Sequence, residues 1–167
     1  SPVQILNETF SGEAVDSKKK RAAINLKKSE SDVFVLVDPS SISWLANIRG
    51  NDIPFSPYVM SYALLHKNSQ LEIFIDVRKI IPSVRKELEG QFVIKPMKTF
   101  IPELIKVGEK SKVVGIDPNT TPELVGTILQ KAGAKVVNNT DPCELAKACK
   151  NTTEISGFHS AHKRDGL

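Results

Sequence analysis

The spacing of apolar residues changes along this chain, and each change predicts a new element. From 12 to 30, Ala14, Lys18, Ala22, Ala23 and Leu26 recur at helical intervals. This predicts one helix with its basic cluster on the opposite face. "DVFVLVD", 32–38, is a β-branched apolar run ending in Asp-Pro, and it predicts a buried strand. "YVMSYALLH", 58–66, and "LEIFID", 71–76, predict two more strands, and "KNSQ" between them predicts an antiparallel hairpin. The rhythm then alternates. A Pro-led helix over 82–89 stops at Gly90, followed by strand "QFVIKP", helix "TFIPELIKVGEK", strand "SKVVGID", helix "TPELVGTILQKAG" and strand "AKVVNN". Thr121 is the expected N-cap of the last of these helices, with Pro122 at its first position and Gly133 just past its end. "DPCELAKACK" repeats the device, with Asp141 as cap, Pro142 at N1 and Glu144 completing a capping box.

Strands alternating with helices predict helices on both faces of a mainly parallel sheet, and the early hairpin makes that sheet mixed. The expected fold is therefore α/β: a three-layer α/β/α sandwich around a mixed sheet of about six strands. The core pattern ends near Lys150, so 1–150 is expected to form one domain. A fresh helix starts at Asn151, with Glu154 three residues on and Ile155, Phe158, His159 and His162 along one face. An amphipathic helix needs a partner to cover that face.

Charge changes the picture little. The net charge is +4, with clusters at Lys18–Arg21 and at Lys163 and Arg164. Neither cluster is interleaved with aromatics or set in a recognisable module, so no nucleic-acid partner is expected and the clusters read as solvated helix faces. No apolar run approaches the ~20 residues that cross a bilayer, and the first residues do not read as a secretory leader. With only two cysteines, Cys143 and Cys149, a disulfide framework is not expected either. No membrane partner and a cytoplasmic location follow as expectations.

Searches for chemistry return little. There is no His-Glu-x-x-His, no G-x-S-x-G elbow, no G-x-G-x-x-G and no phosphate-binding P-loop. His159 and His162 could face one metal from one helix turn, but no convincing third ligand joins them. The carboxylates are scattered. On pattern alone the chain reads as an α/β domain with no catalytic and no metal-binding residues.

One stretch does not fit that bland picture. "SWLANIRGNDIPFSP", a loop by its composition, holds the only Trp together with an Arg-Gly, an Asp and two prolines. It resembles the second domain of the three-domain, cytosolic-type Xaa-Pro aminopeptidases (aminopeptidases P), where the pattern is W-L-x-N-x-R-G-x-D-I-P-x-x-P. Trp44, Leu45, Asn47, Arg49, Gly50, Asp52, Ile53, Pro54 and Pro57 match in order. "FSGEAVDSKKKRAAI" is similar to the family's entry helix, "LEIFID" to its x-L-F-I-D strand, and "ACKNTTEISGFHSAHKRDG" to the helix leading into the catalytic domain, with Phe158-His159 where Met-Arg is expected.

The resemblance implies an RNase H-like, creatinase N-terminal-type domain over 1–150, and over 151–167 the start of a linker helix into an absent catalytic domain. It implies a parent metallopeptidase that removes an N-terminal residue preceding proline, on peptides with proline second. That parent would use two divalent ions, commonly manganese, in the catalytic domain, and none in this fragment. A homodimeric parent is expected too. No position here matches the family's metal ligands, so this chain alone is expected to be inactive. Trp44, Asn47, Arg49 and Asp52 are the candidate site residues, and two readings of them stand side by side. In one, Trp44 and Leu45 fill the core, Asn47 and Asp52 satisfy loop amides, Arg49 pairs with a carboxylate, and Gly50 supplies a φ that only glycine holds cheaply. In the other, Arg49 and Asp52 sit at an interface with the catalytic domain or a second subunit and shape access to the active site. Two rivals to the whole assignment are a free-standing α/β binding or scaffold module and a small-molecule transferase with a cleft in this sheet.

Overall fold

The computed structural model describes residues 2–166. In chain order the elements are β1 (Gln4–Ile5), α1 (Glu8–Ser11), α2 (Val15–Lys28), β2 (Val33–Leu36), α3 (Pro39–Leu45), β3 (Ile48–Arg49), β4 (Ser61–His66), β5 (Leu71–Ile75), α4 (Pro82–Leu88), β6 (Val93–Pro96), α5 (Phe100–Lys110), β7 (Val113–Ile116), α6 (Glu123–Lys131), β8 (Lys135–Asn138), α7 (Glu144–Ala148) and α8 (Thr152–Asp165). Six strands form one mixed sheet in the order β6-β5-β4-β2-β7-β8. The β4–β5 hairpin is antiparallel, and so is β2 against β4, while β2–β7, β5–β6 and β7–β8 are parallel. The expected three-layer sandwich with a mixed six-stranded sheet is what forms.

Its centre is explained by the period-2 geometry of a strand. Along β2, Phe34 and Leu36 enter one core with Ala22, Leu26, Ile42, Leu45 and Leu88, whereas Val33 and Val35 enter a second core with Phe100, Leu104, Val125 and Leu129. Helices α2, α3 and α4 therefore cover one face and α5 and α6 the other. A strand buried on both faces reads as a continuous apolar run, which is why "VFVLV" is legible in the sequence. Each fully buried Leu or Phe contributes about 1.5–3 kcal/mol.

The helix predicted over 12–30 forms as α2, and the chain before it adds the short α1, which Gly12 ends in the left-handed region at φ 68°. A side chain at Gly12 would also meet Asn151, whose Oδ1 would lie 2.6 Å from a Cβ. Three expectations need correcting. Lys18 and Lys19 are not on a solvated face but buried, at 1 and 8% exposure. Thr121 does not cap α6: Pro122 occupies the N-cap position, and the Thr121 hydroxyl is buried without a partner. Finally, Asp141 makes an Asx turn onto the Cys143 amide at 2.7 Å, and α7 starts at Glu144 without a capping box. The expected end signals hold elsewhere, with Gly90 and Gly133 at φ 86° and 105° just past α4 and α6.

The last helix does carry its expected capping box: the Asn151 side chain accepts from Glu154 N and the Glu154 carboxylate accepts from Asn151 N, both at 2.9 Å. Asn151 Nδ2 also donates to Ser11 O at 2.8 Å, which pins the start of α8 to α1. Beyond that first turn α8 buries no residue, and Ile155 and Phe158 are about half exposed. Few buried contacts mean a low local opening energy. In hydrogen exchange on this chain, amides of 155–162 will exchange much faster than those of β7. Equal protection of the two would show that α8 is held by the domain's own core.

Candidate functional site

The distinctive stretch between β2 and β4 is not a loop throughout. Asp38 caps α3, its carboxylate accepting from the Ser40 amide at 3.0 Å and the Ser41 amide at 3.3 Å, with Pro39 in the first turn. Trp44 and Leu45 are the last residues of that helix. The chain then reverses at Asn47, which holds φ 50°, a conformation Asn tolerates better than most residues. Ile48 and Arg49 run on as β3 and pair antiparallel with β1, Gln4 opposite Arg49 and Ile5 opposite Ile48. Two-residue strands carry no readable period, so composition alone points to a loop here.

The organising contact is Lys18. Its ammonium leaves α2 inside the core and donates to Trp44 O at 3.0 Å and Asn47 Oδ1 at 2.7 Å. It also lies 4.3 Å from the centre of the Trp44 ring, with the Arg21 guanidinium 5.5 Å from the same centre. Asn47 Nδ2 donates to Glu13 O at 2.8 Å, so one carboxamide ties the turn to both ends of the α1–α2 junction. Burial pushes the Lys18 amine down to about 8, although Glu154 and Glu13 work in the opposite direction.

The four candidate residues separate on this geometry. Trp44 is 7% exposed and belongs to the core, as the first of the two readings holds. Asn47 is buried too, but it serves Lys18 and a carbonyl rather than loop amides. Asp52 does satisfy an amide, accepting from Met60 N at 2.9 Å, and it also takes Lys79 Nζ at 2.7 Å. Burial raises its carboxyl, and those two contacts outweigh it and leave it below the ordinary value. Arg49 departs from expectation. Among the described residues it pairs with no carboxylate: Nη1 donates to Ser43 O at 3.1 Å and Ile48 O at 2.9 Å. Gly50 is not at positive φ either; a Cβ there would stand 2.9 Å from Val59 Cγ2, so it is close packing that requires glycine. The left-handed positions of this stretch are Asn47 and Phe55, the latter fully exposed at the tip.

Two charged clusters lie outside the motif, and no pattern along the chain marks either. Lys147 Nζ reaches Asp38 Oδ2 at 3.1 Å, Ser40 Oγ at 2.6 Å and Ser41 Oγ at 3.2 Å, joining α7 to the start of α3. Burial raises the Asp38 carboxyl, but the bonds from Ser40 and Lys147 bring it down to about 2. On the other side of the domain, His66 contacts Glu72 at 2.8 Å, and Lys95 bridges Glu72 and Glu103. The contact from His66, opposed by burial and reinforced by Lys95, holds Glu72 at about 2. In each cluster one lysine joins a residue far away in sequence, Lys147 to Asp38 and Lys95 to Glu72, and no spacing rule finds such a contact. Among the described residues no three His, Cys, Asp or Glu side chains converge as metal ligands. Cys143 is buried and Cys149 exposed, and both are free thiols.

An α/β domain with this mixed sheet, its helices on both faces and a capped helix carrying Trp44 defines a class of fold, and comparison with known proteins gives the family. The model for the Creatinase/Prolidase N-terminal domain matches residues 1–154, and the chain belongs to that family. Over 97% of its length it is 29% identical to Xaa-Pro aminopeptidase 1 of Dictyostelium discoideum. Over 99% it is 33% identical to a probable Xaa-Pro aminopeptidase P of Arthroderma benhamiae. The chain spans about a quarter of these relatives, 25 and 24% of their lengths. Among solved structures it superimposes on the X-prolyl aminopeptidase of Caenorhabditis elegans with a TM-score of 0.86 at 27% identity, covering 99% of this chain and 27% of that one.

Two measurements test the Lys18–Trp44 arrangement. Trp44→Ala will destabilise the chain by about 3–5 kcal/mol, the range for emptying a well-packed aromatic site, and a melting temperature within a degree or two of the parent would contradict core placement. Lys18 sets a pH dependence. Its folded pKa of about 8 lies below the 10.5 ordinary for lysine. Between those values the unfolded chain binds more protons, so this group makes stability rise with pH across that window. Thermal melts from pH 7 to 10.5 will show that rise in the parent relative to Lys18→Met, with a slope of at most about 1.4 kcal/mol per pH unit. Parallel curves for the two proteins would mean that the amine is not desolvated.

Proposed function

We propose that this chain is a non-catalytic, supporting domain of a longer, metal-dependent Xaa-Pro aminopeptidase, which removes the N-terminal residue of peptides with proline second. The observation that carries the reading is the match of a family domain to residues 1–154 within a chain that spans only about a quarter of its aminopeptidase relatives. The C. elegans relative is described as a cytosolic enzyme with a di-nuclear active site. By that likeness we read the parent as a cytoplasmic enzyme with two metal ions; manganese as the metal and a homodimeric parent are carried by the resemblance of the motif around Trp44 alone. The residues of this chain do not fit such a centre. No triplet of ligand side chains converges among those described, and the inward acids Asp38, Asp52 and Glu72 already hold lysines. No step of the reaction is therefore assigned to them.

Residues 1–150 are read as the supporting domain and 151–167 as the start of the helix leading on to the catalytic part. Exposed Phe55 and Ile155 supply apolar surface for the remainder of the parent to cover. Trp44, Asn47 and Asp52 make their contacts within the domain, which supports a structural role for them, and Arg49 remains available to a second body.

The test is an assay of the purified chain against an Xaa-Pro peptide with added manganese, beside the product of the full reading frame. The full product will hydrolyse the peptide and lose activity to a chelator, whereas the chain alone will show none. Turnover by the chain alone that scales with its concentration and disappears with chelator would overturn the supporting role. A reading frame that ends near Leu167 would favour a free-standing module.

A further inference from the structure

Between α1, α3 and α8 lies a cleft of about 470 Å³, within the ~300–1,000 Å³ range of small-molecule sites. Aromatic side chains form much of its wall: Phe10, Trp44, Tyr58 and Phe158. Its charged groups are Arg49, Lys147 and Lys150 against a single carboxylate, Glu154. Three of these four already have a partner. Lys147 is held by Asp38 and two serines, Lys150 donates to Lys147 O at 2.5 Å, and Glu154 is engaged in the capping box.

Arg49 is different. Both of its hydrogen bonds leave from Nη1 and end on backbone carbonyls, and no protein acceptor engages Nε or Nη2. Among the described residues no Asp or Glu comes within ion-pair distance of it. A guanidinium fixed by two carbonyls, with its remaining donors free, is pre-oriented for a planar two-oxygen acceptor. Unmet guanidinium donors beside aromatic side chains ask for acceptor oxygens on an apolar body.

We propose that this cleft binds a small apolar carboxylate, with its carboxylate across the free donors of Arg49 and an aromatic or branched aliphatic body against Trp44, Tyr58 and Phe158. A single unpaired guanidinium matches one carboxylate rather than a run of acidic residues, and the volume matches one small molecule. The inference rests on the cleft alone and does not depend on the peptidase reading.

Trp44 is the only tryptophan, so its emission reports on the cleft directly. Titrating the chain with phenylacetate will give a saturable change in that emission, and phenylacetamide, the neutral isostere, will bind roughly tenfold more weakly, the loss expected for one charge-assisted contact. Arg49→Gln, checked for folding by circular dichroism, will remove the preference for the acid. If that variant does not fold, the acid–amide comparison on the unaltered chain still decides. Equal affinity for acid and amide, or no response up to the solubility limit of phenylacetate, overturns the proposal. Tighter, Arg49-dependent binding of acetyl-Leu-Glu-Leu-amide than of phenylacetate also overturns it, and assigns the cleft to an acidic protein segment.

Discussion

The ammonium of Lys18 holds the characteristic part of this domain together. Withdrawing a charged amine from water is expensive, and among the described residues no carboxylate comes within ion-pair distance of this one. Two hydrogen-bond acceptors and an indole face offset the cost instead, and each belongs to the stretch that identifies the family: Trp44 O, Asn47 Oδ1 and the Trp44 ring. The arrangement fixes the end of α3, the reversal at Asn47 and the position of α2 at once. Once Asn47 is set, Ile48 and Arg49 can pair with β1, and Leu6 N reaches Asn47 O at 2.7 Å. The chain's first segment is therefore anchored through a turn more than forty residues away. Removing the amine would leave Asn47 Oδ1 and Trp44 O buried without this donor, a larger penalty than the net worth of either hydrogen bond.

The central strand supplies the rigid frame against which that contact is built. Two aspartates bracket β2. Asp32 accepts from the amides of Lys112 and Val113 and takes Lys67, fixing the strand to β7 and to the β4–β5 hairpin. Asp38 ends the strand by capping α3 and binding Lys147 from α7. Between them every residue from Val33 to Leu36 is buried, alternately in the two cores. Acids at the ends and aliphatics between make one short segment both the floor of two hydrophobic layers and a junction for four elements. Asp32 and Asp38 act as such junctions, each engaged by amides and a lysine. Arg49, with donors unmet beside aromatic rings, is the exception, and it lies on the surface shared by the motif helix and α8.

Much of this fold was legible in the sequence, because its main elements obey local rules. The apolar run "VFVLV", the hairpin at "KNSQ", the helices ended by Gly90 and Gly133 and the capping box at Asn151 each depend on residues within a few positions of one another. Periodicity and end chemistry determine such segments, and their alternation determines a three-layer α/β sandwich. The order of residues around Trp44, Asn47, Arg49 and Asp52 likewise carried the family by itself. What only the tertiary structure decided is how those residues are used. α1 and β1 are too short to show a period, so neither was legible ahead of the helix read over 12–30. Lys18 looks like one member of a solvated basic cluster, because burial of a charge depends on acceptors that lie 26 and 29 residues away. The structural reading of the motif gave Arg49 a carboxylate, yet the turn at Asn47 brings it carbonyls instead. Local sequence fixes what a segment can become, whereas the partners of a buried charge are set by contacts that exist only once the chain has closed on itself.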